Sequence, residues 1–221
     1  MHENVLSWSE LSQAPERSGI YAWYFRPQLT EYDINKVIKE IELNDGDENF
    51  ACRSKIVKKF LNDRVFKYFE QKPYEVELKG VLKPRYSGEA VHRSEDDVSP
   101  DLIERLCSNP RSLFLINVAL EQSTPLIASP LYIGKAENLR DRIKVHKRMI
   151  QTLKNNIADN LASYLEYHPS LDEKSFAQRV AEREIPSSQL FVAYTVVADT
   201  KIVTDLENIL NRIYFPILGR N

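Results

Sequence analysis

Leu131-Tyr132-Ile133-Gly134-Lys135-Ala136-Glu137-Asn138-Leu139-Arg140-Asp141-Arg142-Ile143-Lys144-Val145-His146 is the stretch on which the fold turns. It opens as a short apolar strand, which the sequence predicts to break at Gly134. A helix restarts at Asn138, whose side-chain oxygen suits an N-cap. From there Leu139, Ile143, His146 and Ile150 recur at helical spacing and define one buried face. Arg142 and His146, four positions apart, are neighbours at the edge of that face. One strand-turn-helix thus gathers the Tyr132 phenol, the Lys135 ammonium, a guanidinium and an imidazole. Cations and a proton acceptor at the mouth of a helix suit a phosphate ester. The plainer reading makes Tyr132 and Arg142 surface or packing residues and His146 a half-buried core histidine.

Working outward, residues 19–25 (Gly-Ile-Tyr-Ala-Trp-Tyr-Phe) are apolar on both faces, the pattern of a central strand, and Pro27 stops them. Tyr21, Trp23 and Phe25 then point one way and Ile20, Ala22 and Tyr24 the other. Residues 190–197 read as another strand, and so do residues 113–120, with Pro125 and Pro130 bracketing a loop into the opening motif. Residues 4–17 read as a short helix or turn. Helices are expected over 33–43, with Ile34, Val37, Ile38 and Ile41 inward, and along a basic stretch whose apolar side is Ile56, Phe60, Leu61, Val65 and Phe69. Further helices cover 101–107, 149–167 and 175–183. Residues 74–78 form a half-exposed strand, followed by a Pro/Gly-punctuated stretch through Tyr86-Ser87-Gly88 and an acidic loop at 94–97. A last helix opens at Thr204 and runs through Ile209, Leu210 and Ile213 to Pro216. In it Thr204-x-x-Glu207 is a capping box, with Glu207 on backbone N–H groups; the other reading of Glu207 is a metal ligand.

At 221 residues the chain has room for one sizeable core, or a core with a large insertion. Lys plus Arg number 30 against 32 for Asp plus Glu, a balance of −2, so any nucleic-acid contact comes from local patches rather than overall charge. Two patches exist. Between 135 and 154, Lys135, Arg140, Arg142, Lys144, Lys147, Arg148 and Lys154 outnumber Glu137 and Asp141; between 53 and 67, six cations face Asp63 alone. Cys52 and Cys107 are isolated, which fits a reducing compartment and gives neither a disulfide framework nor a zinc site. No long apolar run is present and the first residues carry no basic-then-apolar leader, so the expectation is a cytoplasmic protein without membrane contact.

Taken together these pieces resemble the GIY-YIG endonuclease family. Gly19-Ile20-Tyr21 matches the first signature triplet and Tyr132-Ile133-Gly134 the second. Arg142 follows on the next helix, and a strand then leads to a helix with an early glutamate, Glu207, before Pro216 and Asn221. The resemblance spans residues 18–25 and 131–221. It departs from the family in the long interval between the triplets, and in the terminal Asn lying further beyond Pro216 than is common.

The resemblance implies an α+β protein: a small antiparallel three-stranded sheet flanked by helices, with a large, mostly helical insertion. The nuclease core is then 1–26 with 129–221, and residues 27–128 are an insertion for DNA recognition or partner binding. It also implies hydrolysis of DNA phosphodiesters with one divalent metal, Mg²⁺ or Mn²⁺, held by Glu207. Arg142 and Lys135 would grip the scissile phosphate, Asn221 would join them, and Tyr132 would act as general base with Tyr21 beside it. His146 would replace or assist the phenol, since its pKa suits the task. The expected partner is DNA, with a protein partner or a homodimer left open. Restriction or invader defence is the expected role. The alternatives are a structure-specific repair nuclease, or a lapsed nuclease kept as a nucleic-acid-binding or protein-interaction module.

Overall fold

Gly19–Phe25 forms the strand against which the sheet is laid. In the computed structural model, which describes residues 4–44, 46–68, 74–78, 86–90, 98–159 and 175–219, this strand (β2) runs antiparallel between β5 (Tyr132–Ala136) and β6 (Leu190–Val196). A further strand, β1 (Val5–Ser7), pairs antiparallel with β6 and completes a four-stranded sheet of order β1-β6-β2-β5. The architecture is therefore α+β, but with four strands rather than three. The fourth comes from residues expected to be a helix or turn: Val5-Leu6-Ser7 is too short to show alternation, and the helix-or-turn reading holds for the turn at residues 8–10 and the 3₁₀ segment Leu11–Gln13 behind it.

Seven α-helices are described: α1 (Glu31–Glu42), α2 (Phe50–Leu61), α3 (Pro100–Ser108), α4 (Ser112–Ile127), α5 (Leu139–Asp159), α6 (Phe176–Glu182) and α7 (Thr200–Tyr214), together with a hairpin of β3 (Tyr74–Leu78) and β4 (Tyr86–Ala90). β4 falls where the sequence suggested only punctuation. The segment 113–120 is a correction of type: it belongs to α4, not to a strand. A short apolar run does not distinguish strand from buried helix by periodicity, and here the following Ala119-Leu120-Glu121-Gln122 favours the helix. Pro125 lies inside α4 rather than at a loop boundary. Phe69, the acidic loop at 94–97, residues 160–167 and Asn221 lie outside the described residues.

The chain divides into two units, one of Met1–Gln28 with Asn117–Asn221 and one of Leu29–Ile116. In the second, α1 turns Ile34, Val37, Ile38 and Ile41 inward as its spacing predicts, against Val57 and Leu61 of α2 and Ile103 and Leu106 of α3. Thr30 caps α1 by accepting from Asp33 N–H at 3.1 Å.

In the first unit the sheet is covered on both faces. Tyr21 and Trp23 turn toward α5 and α6, where Trp23 lies 5.6 Å from Phe176. Ile20 and Ile133 turn the other way and pack with Val203 of α7. α5 buries Leu139, Ile143, His146 and Ile150, the face its spacing predicts. Asn138 caps it, accepting from Asp141 N–H at 3.2 Å.

Candidate active site

Both signature glycines are places where the backbone must be approached closely. β2 passes between β5 and β6, and a Cβ on Gly19 would lie 2.1 Å from the Thr195 carbonyl oxygen. Gly134 is paired with Tyr21 across β2–β5, and a Cβ there would meet the Tyr21 hydroxyl and the Tyr132 ring, each at 2.7 Å. The strand does not break at Gly134; it continues to Ala136. The glycine is present to seat a phenol, which sequence spacing alone does not reveal. Its strand, β5, is an edge of the sheet.

Around that phenol three groups stand in series. Arg142 Nε donates to Tyr21 Oη at 3.3 Å, and Tyr21 Oη lies 2.8 Å from His146 Nε2. With Oη receiving the guanidinium N–H, the Tyr21 O–H is left to donate to Nε2 of a neutral imidazole. Burial, and after it the Arg142 charge, pushes the His146 pKa down to about 4, so the ring is neutral at physiological pH. Its other nitrogen, Nδ1, is buried and has no partner among the described residues. Burial raises the Tyr21 phenol above its ordinary range, Tyr132 adds to that, and Arg142 opposes it. Burial also works against the Arg142 charge, but the two phenols outweigh it and hold the guanidinium protonated.

Tyr132, half-buried, completes an aromatic wall: its ring lies 6.1 Å from Tyr21 and 5.5 Å from His146, and it stacks on Phe176 at 4.9 Å. The imidazole's hydrogen bond goes to Tyr21 and not to Tyr132. Phe176 has no signal in the sequence beyond its place in a helix. That helix carries the capping box in which Ser175 accepts from Gln178 N–H and Gln178 answers at Ser175 N–H.

Lys135 and Glu207 lie on the opposite face. Lys135, two residues beyond Ile133 on β5, shares its face and points toward α7, where Nζ donates to Thr204 Oγ1 at 2.7 Å and lies 3.7 Å from Glu207 Oε2. Glu207 is not a capping residue. α7 begins a turn earlier, at Thr200, with Asp199 accepting from Lys201 N–H at 2.9 Å. The β-branched pair Ile202-Val203 hides that start from propensity, and Thr204 serves Lys135 instead. The Glu207 side chain keeps 22% of its surface exposed. Among the described residues no three His, Cys, Asp or Glu side chains converge to cage a metal. Glu207, the carboxylate the sequence offered as a metal ligand, is instead ion-paired with Lys135 here.

The structure accordingly brings Tyr21, Tyr132, Arg142 and His146 together on one side of the sheet and Lys135 with Glu207 on the other, both sets reaching β5. Among the described residues no helix is long and apolar enough to cross a membrane. No family model, curated protein or solved structure matches the chain.

Proposed function

We propose that the chain is a divalent-metal-dependent endonuclease that hydrolyses DNA phosphodiester bonds at the β5 edge of its sheet. The observation that carries the reading is the series Arg142 Nε, Tyr21 Oη, His146 Nε2, at 3.3 and 2.8 Å, seated against the bare Gly134. Phosphodiester cleavage needs an activated nucleophile, neutralised equatorial oxygens and a stabilised leaving oxygen. The neutral His146 ring accepts the Tyr21 O–H at Nε2 and fixes the buried phenol, which in turn aims Arg142; the half-buried Tyr132 phenol is the group placed to take a proton from the attacking water. Arg142 supplies positive charge beside both phenols. The remaining N–H groups of the exposed Arg142 guanidinium fork onto the phosphate. Lys135, across the edge strand, adds a point charge.

Glu207 would hold Mg²⁺ or Mn²⁺, which when bound neutralises phosphate oxygens and acidifies a coordinated water. A second reading, a nucleic-acid-binding module that no longer cuts, draws on one observation: Glu207 is ion-paired with Lys135 on the face away from the phenols.

Plasmid nicking decides between the two. Under the nuclease reading the wild-type protein nicks in Mg²⁺, chelation stops it, and Glu207→Gln abolishes it while thermal melting moves by less than about 1 kcal/mol, as for a half-exposed ion pair. A folded wild-type protein that binds DNA without nicking it in either metal leaves the binding module.

A further inference from the structure

The α7 side of the sheet contains a cavity that the chemistry above does not use. Ala22 and Ala193 stand directly opposite each other on β2 and β6, so the middle of that face is low. α7 packs over β5 and β2 through Val203, Leu206 and Leu210, with Ala22 at the edge of that cluster, and both Ala22 and Ala193 stay only part-buried. The space is about 530 Å³, within the range of small-molecule sites, and its walls include Tyr24, Leu126, Ile127 and Tyr214.

Its chemistry is selective in two respects. Among the described residues no charged side chain lines it, so they offer a phosphate or carboxylate no counter-charge there. Tyr24, Thr195 and Tyr214 are also in the lining, so hydroxyl donors and acceptors stand around an apolar floor. Tyr24 and Tyr214 line the same space, and the Tyr24 phenol is raised above its ordinary pKa by burial and then by Tyr214. The Tyr24 ring already stacks on Phe191 at 5.1 Å, and Tyr214 is 56% exposed at the rim.

Its position links it to the proposed chemistry. Ile20, at one end of the lining, is the direct cross-strand partner of Lys135. Leu210 sits one helical turn beyond Glu207. A ligand in the cavity with an anionic arm would lay that arm on Lys135.

We infer that this cavity receives an unpaired nucleobase of the DNA substrate, flat against Ala22 and Ala193, while the adjoining phosphate stays outside on Lys135. The inference rests on the nuclease reading and narrows it to DNA with an extrahelical or single-stranded base at the cut. A base has the required properties: planar, uncharged, with hydrogen-bonding edges for the three hydroxyls. Unpaired substrates are favoured because a stacked base must first be extruded.

The test uses the full chain without divalent metal and a DNA duplex carrying 2-aminopurine as a one-nucleotide bulge, against the same duplex fully paired. Wild type should prefer the bulge by about tenfold, within what one stacked base contributes, and should change the 2-aminopurine fluorescence on binding. Ala193→Phe fills the floor and should bring the two affinities together and abolish the fluorescence change. Tyr214→Ala, at an exposed side chain, should lower the bulge preference in a protein whose circular dichroism is unchanged. Equal wild-type affinities, or a bulge preference that survives both substitutions, overturns the inference. Nicking is scored separately: a cavity-dependent preference without nicking refutes the nuclease and keeps the base site, whereas nicking without preference does the reverse.

Discussion

Acid should destabilise this protein through His146, and the size of the effect follows from where the ring sits. The imidazole is 6% exposed, and burial followed by the Arg142 charge moves its pKa from 6.5 to about 4. The folded state keeps it neutral, whereas the unfolded chain takes up a proton below its own pKa. This contribution is therefore fully present above pH 6.5, declines as pH falls from 6.5 to about 4, and levels off below. At 1.36 kcal/mol per unit the loss across that window is about 3 kcal/mol. Urea unfolding read by tryptophan fluorescence is suited to the measurement, because the only two tryptophans, Trp8 and Trp23, both belong to the unit that holds the site. His146→Gln removes the titrating group, so the wild-type-minus-variant difference in unfolding free energy should shift by that amount between neutral pH and pH 4. The four histidines also allow a direct NMR titration, with the variant assigning the missing signal. A difference that stays flat with pH, or a His146 signal titrating near its ordinary value, refutes the buried neutral acceptor that fixes Tyr21.

Three further outcomes are expected. Arg142→Lys should slow single-turnover cleavage nearly as much as Arg142→Ala, because an ammonium cannot hold Tyr21 Oη and fork onto a phosphate together; a fall under tenfold, 1.4 kcal/mol, counts against that bidentate grip. Gly134→Ala should cost roughly 1–3 kcal/mol in a thermal melt by forcing a methyl group onto the Tyr21 hydroxyl, and should displace the His146 resonance. Neutralising Lys55, Lys58 and Lys59, all exposed on α2, should reduce the slope of log K against log salt by about 0.9 for every phosphate those lysines neutralise, whatever the DNA sequence. An unchanged slope rules α2 out as a DNA-binding face.

What the sequence revealed was local. β2, β6 and the buried face of α5 could be read because each is long and periodic, and Asn138 advertises its cap. The order of the strands could not be read, since Val5-Leu6-Ser7 becomes a strand only by meeting β6. Residues 113–120 misled because Leu-Phe-Leu-Ile-Asn-Val satisfies strand and helix alike, and the helix-forming residues that decide the matter come after it. The site was half legible. Tyr21, Tyr132, Arg142 and His146 come together, but their hydrogen-bond partners depend on how β2 and β5 are registered. Lys135 falls on the face opposite Tyr132 by simple alternation, which the expected break at Gly134 concealed, since β5 in fact runs on to Ala136. Glu207 was read through a Thr204 cap, while Asp199, a turn earlier, holds the helix start.

The pairing of β1 has a consequence for the handling of this protein. Among the described residues just Val5, Leu6 and Ser7, with the Asn4 carbonyl accepting from Tyr194 N–H, pair along one side of β6, a strand of sequence Leu-Phe-Val-Ala-Tyr-Thr-Val with no charge to discourage self-association. The segment just behind them is pinned by α5, where Lys147 Nζ donates to the Trp8 carbonyl at 3.0 Å and lies 5.3 Å from the centre of the Trp8 ring. Trimming those first strand residues, or loosening the clamp with Lys147→Glu, would uncover a flat, apolar, hydrogen-bonding edge in an otherwise folded molecule. Such a protein would be lost to aggregation before it was lost to unfolding.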